Sequence, residues 1–147
     1  MTSQPIRYRL RISGALVLAV VSTLSFAQKG KYDPNRKDVY AELEKAPKKA
    51  ATRSNPLDHD PDAAAAGANL YDQHCAECHG EFAEGGRKGP SLRADPVHQA
   101  TPGTLFWILT NGVVRRGMPV WSKLPEPQRW QLISYLKSLN PEPKPSE

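Results

Sequence analysis

Two cysteines and two methionines in 147 residues are few. Two cysteines exclude a disulfide-knit scaffold. No apolar run beyond residue 27 exceeds the five residues Leu105–Leu109, so the sequence offers no bilayer-crossing segment downstream of its first residues. No stretch alternates apolar and polar residues as a half-buried strand does, and 14 prolines and 10 glycines argue against long regular elements. A dominant basic field is missing too, despite the formal charge of +5. Arg7, Arg9 and Arg11 supply three of those charges, and 17 basic residues face 15 acidic ones beyond residue 27. That balance excludes a nucleic-acid partner held by charge.

What is present begins with an address. Arg7, Arg9 and Arg11 precede the apolar stretch Ile12–Leu24, and Ser25-Phe26-Ala27 places small residues at the positions a signal peptidase reads. The expectation is a signal peptide over 1–27, exported to the periplasm or an equivalent compartment. The rival is an uncleaved anchor, for which the stretch is short.

Residues 28–61 read as a polar linker or N-terminal extension. Lys37–Ala46 can form one short helix with Val39, Leu43 and Ala46 on a thin stripe, and a solvated tether is favoured over a docking arm. The folded unit spans 62–140, and the proline-rich 141–147 is a tail. Asp60 and Pro61 form a helix start, followed by Ala63, Gly67, Leu70, Tyr71 and His74 at helical spacing. Four glycines in the eleven residues Gly80–Pro90 mark a loop, and no Gly-Lys-Ser/Thr follows to make it a phosphate cradle. Thr101-Pro102 opens a second helix, apolar on all sides over Leu105–Leu109 and stopped at Asn111-Gly112. A last helix runs from about Glu126 to Leu139, with Leu132, Tyr135, Leu136 and Leu139 as its buried stripe and Trp130 and Ile133 on the flanks. The expected fold is all-α, with three or four short helices and long loops.

The cysteines carry the chemistry. Cys75-Ala76-Glu77-Cys78-His79 is the spacing for covalent haem attachment. Thiols at i and i+3 of a helical turn project from one face toward one porphyrin edge, and the adjacent His79 turns an imidazole toward the iron. A zinc site would need further ligands, yet His59, His74 and His98 stand alone. A thioredoxin-like pair belongs on a strand–helix unit, whereas the residues before Cys75 read as helix. Beyond residue 27 the only methionine is Met118, 39 residues after His79 and flanked by Gly117 and Pro119. Its thioether suits a distal ligand to haem iron; the plainer role is a gap-filling core methionine. His98 is the substitute ligand, its plainer role that of a solvent-facing loop histidine.

From about Asp62 to Asn140 the chain resembles the class I single-haem cytochromes c. The resemblance rests on the helix with Gly67 and Tyr71, Cys75-x-x-Cys78-His79-Gly80, Gly89-Pro90, Gly117-Met118-Pro119 and Tyr135 in a terminal helix. It implies one haem c bound through Cys75 and Cys78, with iron ligands His79 and Met118. It also implies that the Pro90 carbonyl accepts a hydrogen bond from His79, and that Gly67 lets the terminal helix approach closely with Tyr135 beside it. Trp107, Trp121, Arg115 and Arg116 either border the haem or are ordinary core and surface residues. The implied function is one-electron transfer from a periplasmic dehydrogenase to an oxidase or another cytochrome, without catalysis of its own. The alternatives are a haem peroxidase or gas sensor with a labile Met118, and a thiol–disulfide oxidoreductase.

Overall fold

The computed structural model describes residues 37–142; the expected signal peptide and most of the proline-rich tail lie outside the described residues. Among the described residues the regular structure is helical. Three helices of ten or more residues dominate: α2 (Ala63–His74), α5 (Pro102–Asn111) and α6 (Glu126–Ser138). Shorter turns are α1 (Lys48–Ala51), α3 (Ala76–His79) and α4 (Asp95–Gln99), with 3₁₀ segments at Lys37–Lys45 and Val114–Arg116.

Local chemistry explains the boundaries. Asp60 Oδ1 accepts from the Asp62 amide at 2.9 Å, so it turns the chain at Pro61 and α2 begins at Ala63. Thr101 Oγ1 accepts from the Thr104 amide at 3.1 Å, which caps α5 just before Pro102. At the other end Gly112, with φ 66°, stops the helix while its amide bonds to the Ile108 carbonyl at 2.8 Å.

Helices α2 and α6 cross in close contact and form the centre of the fold. Gly67 makes the crossing possible, because a Cβ there would lie 2.0 Å from the Gln131 carbonyl oxygen. Beside it the Tyr71 and Tyr135 rings stand 5.2 Å apart at 52°. A second layer joins α5 to α6 through the Phe106 and Trp130 rings, stacked at 4.0 Å, with the Arg53 and Arg129 guanidiniums each 4.6 Å from the Phe106 centre. Because α6 serves both layers, its inner surface is wider than one stripe. Trp130 and Ile133, expected on the flanks, are among its deepest residues at 1 % exposure, and Tyr135, Leu136 and Leu139 are half-buried.

The segment before α2 is not a solvated tether where it is described. Tyr40, Leu43 and Leu57 pack on the core. Asn55 is buried, with its amide donating to the Ser134 hydroxyl at 2.9 Å and to the Trp130 carbonyl at 3.3 Å. Arg53 reaches Glu126 at 2.6 Å, and the Thr101 hydroxyl donates to the Ala51 carbonyl at 2.7 Å. Polar contacts do the fastening, which is why a thin apolar stripe understates it.

Candidate functional site

Cys75 is the joint between α2 and α3. Its amide closes the end of α2 on the Tyr71 carbonyl at 2.8 Å, and its carbonyl accepts from the Cys78 and His79 amides at 3.0 Å each. That single turn brings Cys75, Cys78 and His79 together. Both cysteines are half-buried. Burial, helped by the neighbouring Cys78, pushes the Cys75 thiol up to about 11.

His79 is 9 % exposed, and burial lowers its pKa against the opposing effect of its hydrogen bond to Pro90. The imidazole is therefore neutral near pH 7. Its Nδ1 stands 2.8 Å from the Pro90 carbonyl oxygen. A carbonyl only accepts, so Nδ1 carries the proton and Nε2 keeps the lone pair that a metal takes. The loop between them is folded on itself: the Gly85 amide donates to the His79 carbonyl at 2.7 Å, the Leu92 amide to the Ala83 carbonyl at 2.8 Å, and the Tyr71 hydroxyl to the Gly80 carbonyl at 2.7 Å.

Met118 comes from a different loop. An isolated antiparallel bridge to Val113, with N···O distances of 3.0 and 3.2 Å, holds its backbone, and its side chain packs on the same apolar core that Cys75 borders. Trp121, three residues after Met118, packs on the core with its ring 5.3 Å from the His74 ring. Trp107 is half-buried on α5, and Arg115 and Arg116 are exposed. His98 is not a loop residue. It lies in α4, where Asp95-Pro96 starts a turn, and its Nε2 is buried without a hydrogen-bond partner.

The residues of this turn fit haem: the two thiols can bond one porphyrin edge, and the neutral imidazole is a donor suited to the iron. Among the described residues no three His, Cys, Asp or Glu side chains gather to hold a metal ion by themselves. The sequence reading did not single out Tyr40 or Ser91, which meet at the edge of this site through a hydrogen bond of 2.9 Å between residues 51 apart. No local pattern announces such a contact.

Residues 62–136 match the family described as cytochrome c oxidase, cbb3-type, subunit III. Over 96 residues the chain is 35 % identical to the quinohemoprotein alcohol dehydrogenase ADH-IIG of Pseudomonas putida, a match that takes in 63 % of this chain and 13 % of that enzyme. Among solved structures, cytochrome cL of the marine methylotroph Methylophaga aminisulfidivorans MPT superposes with a TM-score of 0.52 at 25 % identity, over 79 % of this chain and 72 % of that one. Cytochrome cL of Hyphomicrobium denitrificans gives 0.50 at 21 % identity, over 67 % and 66 %.

Proposed function

The chain belongs to the c-type cytochrome family whose description is cytochrome c oxidase, cbb3-type, subunit III, with the class I cytochrome c fold, and from that premise we propose that it is an exported one-electron carrier. Proteins of this family carry haem c, and the cysteines at 75 and 78 fit that attachment. When bound, the haem supplies a one-electron ferric/ferrous couple.

The observation that carries the reading is the turn Cys75–His79 with Nδ1 committed to Pro90. The Cys75 and Cys78 thiols would hold the haem through one thioether bond to each vinyl group, and His79 Nε2 would be the proximal ligand. The Pro90 carbonyl keeps the ring in one tautomer and one orientation, the usual task of a hydrogen-bond partner behind a ligating histidine. Met118 would supply the second iron ligand, and iron so held by His79 and Met118 would leave no place for a substrate. That separates a carrier from a peroxidase or gas sensor.

The partners proposed are redox proteins. A stretch like this chain lies within an alcohol dehydrogenase named as a quinohemoprotein, which supports a dehydrogenase as donor. The family description supports an oxidase, or another cytochrome, as acceptor. Export rests on Arg7, Arg9, Arg11 and the small residues before Gln28. No helix among the described residues is long and apolar enough to cross a membrane. The exported protein should begin at Gln28 by intact mass; a chain retaining residues 1–27 would indicate an anchor.

Met118→Ala tests the function. The variant should lose the thioether-to-iron charge-transfer band, bind carbon monoxide when reduced, and show a lower reduction potential, because a thioether favours ferrous iron and water favours ferric. Wild type that binds carbon monoxide as readily as the variant would show a distal side open from the start, and the reading would pass to catalysis or sensing.

A further inference from the structure

The carbonyl that orients His79 belongs to the Pro90–Ser91 peptide, and that peptide is held from several sides. The Pro90 ring fixes its own φ. Gly85 rests directly on the peptide: a Cβ there would lie 2.4 Å from the Ser91 nitrogen and 2.9 Å from the Pro90 carbonyl carbon. Ser91 itself is 5 % exposed. Its hydroxyl reaches the Glu142 carboxylate at 2.5 Å and accepts from the Arg93 amide at 3.1 Å. Its carbonyl, in the next peptide Ser91–Leu92, accepts from the Tyr40 hydroxyl at 2.9 Å.

Tyr40 lies outside the 62–136 stretch that matches the family. It stands on the 3₁₀ segment Lys37–Lys45, which packs on α4 and α5 and places Tyr40 and Leu43 against the core. The neighbouring Glu42 is held below the ordinary carboxylate range by Lys45 first, and then by the charges of Arg116 and Arg115. This segment borders Ser91, the residue that follows Pro90.

We propose that Tyr40 is a positioning residue: by fixing the peptide after Ser91 it limits how the Pro90–Ser91 peptide can turn, and thereby sets the reduction potential of the iron. The inference rests on the haem reading above. A well-aligned Nδ1–H···O=C bond makes Nε2 a stronger donor, which favours ferric iron and lowers the potential. A peptide free to turn weakens that bond and raises it.

Tyr40→Phe keeps the packed ring and removes only the donor. In the holoprotein the potential should shift upward, and the His79 Nδ1 proton, followed by NMR, should exchange with solvent about tenfold faster. The Met118 charge-transfer band should stay as in wild type. An unchanged potential together with unchanged Nδ1–H exchange would overturn the proposal, whatever happens to the melting temperature. A wild-type protein without covalent haem would instead overturn the haem reading; the Nδ1–H exchange rates of the two apoproteins would then still decide whether Tyr40 holds the peptide.

Discussion

Gly67→Ala should lower the melting temperature by about 12 °C. The added Cβ would lie 2.0 Å from the Gln131 carbonyl oxygen, 2.6 Å from its carbon and 2.9 Å from Tyr135 Cβ. Two of these atoms are helix backbone and cannot swing aside as the end of a long side chain can. Helix α6 must withdraw from α2, which loosens the Tyr71–Tyr135 contact and the burial of Trp130, Leu132 and Ile133. Overpacking of this kind costs about 3 kcal/mol, alanine's better helix propensity returns about 1 kcal/mol, and at roughly 4–8 °C per kcal/mol the net of about 2 kcal/mol is a shift of about 12 °C. Thermal unfolding followed by circular dichroism checks this; a melting temperature equal to or above wild type would show that the helices do not cross as closely as described.

The second large effect is chemical. Replacing Cys75 and Cys78 together with alanine should abolish covalent haem, because the sequence holds no other thiol. Each single variant should retain at most one thioether bond and mature poorly. Intact mass and haem staining on a denaturing gel measure both. Haem mass retained on the doubly substituted chain would contradict the assignment of the attachment site.

The attachment turn was legible because its chemistry is local: Cys75, Cys78 and His79 need only one helical turn to act together. Helix limits at Thr101-Pro102 and Asn111-Gly112 were legible for the same reason, since caps and stops act within a few residues. Packing that depends on distant residues was not. Trp130 and Ile133 are deeper than a single α6 stripe implies, because α6 meets both α2 and α5. Asn55 and Tyr40 fasten the leading segment through hydrogen bonds to Ser134 and Ser91, and hydropathy periodicity does not see polar fasteners. His98 was read as a loop residue because five residues are too few to show a helical period, yet Asp95–Gln99 turns as a helix. The close approach of α6 at Gly67 came only with the family resemblance; nothing in the spacing of α2 alone distinguishes that glycine.

The central claim is that this chain carries one covalent haem as its working part. Acid–acetone extraction of the purified exported protein, followed by a pyridine haemochrome spectrum of the precipitate, tests it most directly. The account predicts one haem c per chain remaining with the protein and none in the organic phase. A precipitate without haem, with Cys75 and Cys78 recovered as free thiols or as a disulfide, would contradict it.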